Sequence, residues 1–199
     1  MNARRLTLFS LALLVSQPGF SQESAPSITI LPVVITSGEK WEELRNNLTK
    51  RTHDQLVKVF KDRGFSIAPE ETVKAKLQEL KIDLTDEENH RRDTLYSVAE
   101  GLQTDYVIFF VITNNTQRTK TNVFSQVREG EVTAKYWLLD VKKREAVYSA
   151  KSETAKARPH ADFGVATKGS DQQLTAADRV VPAALKDFLA KFPEIKKGS

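Results

Sequence analysis

The chain has 199 residues, 8 glycines, no cysteine and a formal net charge of +4. The lack of cysteine excludes disulfides, thiolate metal ligands and a cysteine nucleophile, and this length suits one domain with its own core. Lysine and arginine alternate with acidic residues along the predicted helices, a pattern that argues against nucleic-acid binding.

Residues 1–21 differ in composition from the rest of the chain. Two arginines precede an apolar run at residues 6–15, and a Pro-Gly pair breaks that run before Ser21. The run is shorter than the roughly 20 residues that a membrane helix needs, so it is predicted to be a secretory signal peptide cleaved after Ser21. A lipoprotein signal would carry a cysteine at this point. We therefore expect a periplasmic or secreted protein without a lipid anchor or membrane span, beginning with a polar leader at 22–27.

Strands and helices are predicted to alternate through the first half of the domain. The segment SITILPVVIT, residues 27–36, predicts a buried strand, and Pro32 within it favours an edge position or a bulge. Amphipathic patterns predict helices over 39–63 and 70–81 with a short strand at 65–69 between them. A capping-box pattern at 85–88 is predicted to open a third helix that ends near residue 101.

The second half is predicted to be mainly strand. YVIFFVIT, residues 106–113, is the most apolar segment after the signal peptide and predicts a central strand buried on both faces. Residues 114–122 are polar and predict a loop or a strand extension. The next strand should reach Asp140, with a bulge at Gly130. On that strand Tyr136 lies on one face, while Lys135 and Trp137 lie on the other.

A basic turn at residues 142–144 leads into a return strand, a polar loop at 157–173 and a final helix that contains Pro182. The predicted order is β-α-β-α-α-β-β-β-α. This order describes an α/β (α+β) domain over residues 28–192, with a mixed sheet of five to six strands, helices packed on it and a polar tail at 193–199.

Residues that could carry catalysis are few. His53 and His90 lie in charged runs that are typical of solvated helix faces. His160 and Asp162 lie two residues apart on the polar loop, and they support the weaker alternative of a small secreted enzyme. No metal-binding spacing, nucleophile motif or glycine-rich phosphate loop is present in the sequence. We therefore expect no enzyme activity, no metal and no cofactor.

Several short motifs resemble one family of envelope proteins. Asp105-Tyr-Val-Ile follows a predicted helix, Trp137-Leu-Leu-Asp140-Val precedes a short turn, and Ala146-Val-Tyr-Ser-Ala follows it. These segments resemble the periplasmic domain of the curli-secretion channel protein CsgG, the penicillin-binding-protein activator LpoB and the N-terminal domain of TolB. The resemblance covers residues 28–192 and implies a domain that binds envelope proteins. The lipobox cysteine and the membrane hairpins are missing, and residues 142–144 replace the usual Thr-Gly of the turn.

We therefore predict a non-catalytic adaptor that acts on an envelope or periplasmic protein. An oligomerising structural or secretion-accessory subunit is the alternative. The predicted contact surface comprises the residues that follow, although Trp137 could instead be buried under a helix of the same chain. They are Lys135, Trp137, Lys142, Lys143, Arg144 and Phe163.

Overall fold

A mixed six-stranded sheet forms the centre of the computed structural model, which describes residues 25–38, 42–122, 125–158 and 170–192. At 120–122, 125–128, 170 and 171 the backbone alone is described. The strands are β1 Ser27–Ile30, β2 Val34–Ile35, β3 Ser66–Ile67, β4 Tyr106–Asn122, β5 Ser125–Asp140 and β6 Glu145–Ala157. The helices are α1 Glu42–Lys61, α2 Glu70–Glu79, α3 Arg92–Gly101 and α4 Ser170–Leu189, with a 3-10 turn at Glu87–His90.

The strand order in the sheet is β3-β1-β4-β5-β6, and β2 also pairs with β4. The first three strands pair in parallel, whereas β4, β5 and β6 form an antiparallel meander. The predicted fold class and element order are confirmed. Pro32 divides the predicted strand: β1 lies between β3 and β4, whereas β2 pairs with β4 alone. Four positions from Ile30 to Val34 match three from Ile108 to Val111, so the predicted bulge is present and the edge position is wrong for β1 only.

Strand β4 is buried on both faces, as predicted. Its alternate residues enter two separate apolar clusters, with Phe110 in one and Phe109 in the other. Helices α1 and α4 cover the first face, and α2 and α3 cover the second. The sheet is therefore the middle of three layers, and a side chain on β5 meets a different pair of helices according to its face.

Within the described ranges, no helix combines the length and apolarity that crossing a membrane requires.

The β4–β5 hairpin is longer than the apolar pattern indicates. Strand pairing continues to Asn122 and Ser125, so residues 114–122 extend the strand. The register shifts between Ile112 and Asn114, and the bulge predicted at Gly130 is wrong. Glycine is required at 130 for another reason: a Cβ there would lie 2.3 Å from the carbonyl carbon of Gln172 in α4. The first turn of α4 therefore packs directly on the backbone of β5.

The third helix begins later than its capping-box pattern predicts. The Asp83 carboxylate accepts hydrogen bonds from the Thr85 amide at 2.9 Å and the Thr85 hydroxyl at 2.7 Å. These bonds hold residue 85 in a turn, because a short acidic side chain competes for the backbone donors that a helix would use. The 3-10 turn follows, and α3 begins at Arg92.

Candidate functional site

Trp137 is packed by residues of its own chain. It is 5% exposed, its ring stacks on Phe109 at 5.4 Å between centroids, and the His90 ring meets it edge-on at 5.6 Å. Trp137 is therefore buried within its own chain, which is the alternative stated above, because the Phe109 and His90 rings fill the space that a partner would have to enter. Lys135 is half-buried beside it, with its ammonium 5.4 Å from the Trp137 ring centroid.

The two lysines of the β5–β6 turn are exposed, with 75% of the Lys142 side chain and 69% of the Lys143 side chain accessible. Each also contacts a carboxylate at a strand end. The Lys142 ammonium lies 2.5 Å from Asp105, and Asp140 accepts a bond from the Lys143 amide at 3.0 Å. Phe163, which is predicted to lie on the same surface, falls outside the described residues.

Asp105 also holds the start of the sheet. Its carboxylate accepts bonds from the Ser27 amide at 2.8 Å and the Ser27 hydroxyl at 2.9 Å. Burial raises the pKa of Asp105, but the bonds from Lys142 and Ser27 outweigh it and leave that pKa below its usual value. These contacts give Asp105 a structural role at the start of the sheet.

Arg144, the next residue of the turn, contacts α3. Its backbone has a φ of 52°, in the left-handed region, and its guanidinium carbon lies 5.4 Å from the Tyr96 ring centroid. One guanidinium nitrogen is 3.5 Å from the Glu100 carboxylate. Tyr96 and Glu100 both belong to α3, so the hairpin turn and the helix meet at Arg144.

This contact borders a pocket of about 550 Å³, which we call the basic pocket. Its lining comes from the start of α3, from β5 and from the β5–β6 hairpin, so it brings together segments that are distant in sequence. Arg92 and Tyr96 lie four positions apart and therefore share one face of α3. The lining residues are His90, Arg91, Arg92, Asp93, Tyr96, Trp137, Arg144 and Ser149.

Tyr96, which lines the basic pocket, carries a buried hydroxyl without a partner among the described residues. The residue is 4% exposed. Burial raises the pKa of Tyr96, while the charges of Arg92 and Arg144 act in the opposite direction. The phenol therefore stays protonated at neutral pH and is available as a donor.

The structure brings two of the predicted contact residues, Trp137 and Arg144, into the basic pocket, with Trp137 as part of its inner wall. The solvated position expected for His90 is wrong: its ring is half-buried, and one ring nitrogen lies 2.8 Å from the Leu84 carbonyl oxygen. The sequence patterns do not identify Arg91 and Arg92 as site residues. These arginines become informative only when the start of α3 is known, because a cation is unfavourable at the positive end of a helix dipole and its presence there indicates a role other than helix stability.

The chemistry available in this pocket is recognition by charge and hydrogen bonding. Among the described residues, no group of three or more His, Asp or Glu side chains could hold a metal ion. His160 and Asp162, on which the enzyme alternative depends, lie outside the described residues.

Comparison with known proteins identifies the fold. The lipoprotein GNA1162 from Neisseria meningitidis matches with a TM-score of 0.50 at 15% identity, over 83% of this chain and 99% of that chain. This chain shares the fold of GNA1162. The hypothetical protein CT253 from Chlamydia trachomatis matches with a TM-score of 0.47 at 13% identity, over 84% of this chain and 97% of that chain.

The LpoB C-terminal domain from Salmonella enterica matches with a TM-score of 0.42 at 13% identity, over 70% of this chain and 86% of that chain. No protein-family model matches the chain, and no curated protein matches it in sequence. The predicted envelope-protein fold is supported, at the level of the fold, by the match to the lipoprotein GNA1162. Specific kinship with LpoB, CsgG or TolB stays a prediction.

Proposed function

We propose that this chain is an exported, non-catalytic adaptor that docks on a protein of the cell envelope. The observation that carries the proposal is the basic surface along α3, which extends from Arg91 and Arg92 at its start to Arg144 of the β5–β6 turn, beside Tyr96 and Glu100. A concave site on this surface is lined by Arg91, Arg92 and Arg144, and the exposed Lys142 and Lys143 precede Arg144 in the turn. Cations gathered around a pocket provide charge complementarity for a partner, which favours encounter and orientation.

Site-specific photo-crosslinking in cells tests this proposal. A photoreactive residue at position 143 lies on the proposed surface, and one at Lys50 lies on an exposed position of α1, on the opposite side of the sheet. We expect position 143 to capture a defined envelope protein that position 50 does not capture. Equal capture from both positions, or none from 143 in exported protein, contradicts the proposal.

An oligomerising subunit is the second candidate, and strand β6 favours it. Among the described strands β6 is a sheet edge 13 residues long, and most of its side chains are exposed or half-buried. An unpaired edge of this length can pair with another chain. A left-handed residue, Ala150 with a φ of 53°, lies where the β5–β6 register shifts, and a bulge of this kind limits such pairing.

Light scattering of the purified mature protein separates the two candidates. A mass near one chain supports the adaptor. A discrete multimer that dissociates when a proline replaces an exposed β6 residue such as Ser149 supports the oligomer, because proline removes a strand donor without changing the core.

A further inference from the structure

The cations at the start of α3 are in excess. Among the described residues neither Arg91 nor Arg92 has an ion pair, and both are exposed. Asp93 is the acidic residue in the lining, while Arg144 already contacts Glu100. Within the same part of the chain, no side chain caps the amino end of α3, so the helix adds its own positive potential. The basic pocket is therefore a local region of uncompensated positive charge.

The Tyr96 hydroxyl is the second and independent observation. A buried hydroxyl without a partner costs free energy, so folded proteins rarely retain one unless a ligand or water completes it. This hydroxyl is flanked by Arg92 on its own helix and by the Arg144 guanidinium over its ring. The positive charges of Arg92 and Arg144 thus lie close to the unpaired hydroxyl of Tyr96.

We propose that the basic pocket binds a carboxylate presented by an acidic segment of the partner protein. Arg91 and Arg92 pair with the carboxylate oxygens, and the Tyr96 hydroxyl donates a hydrogen bond to one of them. Guanidinium groups suit this role, because their donors match the two oxygens of a carboxylate. This inference rests on the proposed adaptor function and names the chemistry of its partner.

The size and walls of the basic pocket favour a peptide segment over a free ion. A volume of about 550 Å³ exceeds what a single small anion fills. The Trp137 ring forms part of the inner wall, and Ser149 of β6 lies on the rim. The exposed aliphatic stems of Arg91 and Arg92 can contact the methylene groups of an acidic side chain while their guanidinium groups hold its carboxylate.

Calorimetric titration of the mature protein with hexaglutamate tests the inference, with hexaglutamine and inorganic phosphate as separate probes. We expect hexaglutamate to bind and hexaglutamine not to bind. The double variant R91Q/R92Q should weaken hexaglutamate binding tenfold or more. The control K50Q/K186Q removes two exposed cations from α1 and α4 and should change binding less than twofold.

The variant Tyr96→Phe separates recognition from folding. It should weaken hexaglutamate binding about tenfold, because it removes one hydrogen bond to a charged group. It should leave the unfolding midpoint of the free protein unchanged or higher, because the lost hydroxyl has no partner. A lowered midpoint with unchanged binding would show that the hydroxyl serves the fold, and it would overturn its role in the site.

Two further results overturn the inference. One is an equal loss of binding in both charge variants. The other is phosphate binding that depends on Arg91, Arg92 and Tyr96 when hexaglutamate does not bind. Crosslinking from position 143 then distinguishes a failure of the carboxylate site from a failure of the adaptor function. If R91Q/R92Q captures the same partner as the wild type, the adaptor function stands and the carboxylate site fails.

Discussion

Tyr136 is predicted to make the stability of this protein sensitive to alkaline pH. Its side chain is fully buried between β5 and α4, and its hydroxyl donates a hydrogen bond to the Ala184 carbonyl at 2.9 Å. Burial raises the pKa of Tyr136 to about 12, against about 10 in the unfolded chain. Because the folded pKa is the higher one, the contribution of this phenol is complete below pH 10 and is lost as the pH rises toward 12.

The prediction is tested by comparing the free energy of unfolding of the wild type and of Tyr136→Phe as functions of pH. At pH 7 the variant should cost about 1 kcal/mol, the usual net value of one buried hydrogen bond. Through this one group, the wild type should lose about 1.4 kcal/mol by pH 11 and about 2.3 kcal/mol by pH 12, a loss that the variant lacks. The two stabilities should therefore become equal between about pH 10.5 and 11, above which the variant is the more stable.

Urea denaturation followed by tryptophan fluorescence, at pH steps from 8 to 11.5, measures both curves. The titration of lysines is common to both proteins and cancels in the difference. Tyr148→Phe is the matched control, because this neighbouring ring, 5.5 Å from Tyr136, is half-buried and should give a smaller pH-dependent difference. A difference between wild type and Tyr136→Phe that stays constant over the whole range would refute the reasoning.

Two other predictions follow from single contacts, and a third follows from the sequence of residues 1–21. Gly130→Ala should destabilise the fold by about 2 kcal/mol or more, since a Cβ would overlap the backbone of α4, whereas Gly38→Ala meets nothing within 4 Å and should have little effect in the same urea titration. Asp105→Asn should cost about 1.5 kcal/mol at pH 7. Because the folded pKa of Asp105 is lowered, that difference should shrink as the pH falls below about 4, and a constant difference in acid unfolding would count against it. The amino terminus of the exported protein should be Gln22, and an intact mass that includes residues 1–21 would contradict the cleavage prediction.

The strands and the faces of their side chains are predictable from the sequence, because the spacing of apolar residues reflects which positions are buried. The alternation along β5 correctly separates Tyr136 from Trp137, and the continuous apolar run of β4 correctly indicates burial on both faces. The exact start of α3 is not predictable in this way. A capping-box pattern at residue 85 and a turn held by Asp83 use the same short polar side chains, and tertiary packing decides between them.

The basic pocket is hidden from the sequence for the same reason. With the helix start predicted at 85, Arg91 and Arg92 appear as members of a solvated charge run rather than as cations at a helix amino end. The approach of the β5–β6 turn to α3 is a contact between residues about 50 positions apart, as Arg144 and Tyr96 show. Spacing along the chain carries no information about such a contact.

Arg144 connects the stability of the turn with the proposed recognition. Its φ of 52° is a conformation that glycine adopts freely and that costs another residue about 1 kcal/mol. Its exposed ion pair with Glu100 and its contact with the Tyr96 ring together offset about the same amount. The backbone of the turn therefore requires a left-handed residue but gives no reason for arginine. Arg144→Gly should consequently leave the free energy of unfolding within about 1 kcal/mol of the wild type, so any loss of hexaglutamate binding in that variant would be a loss of recognition and not of fold.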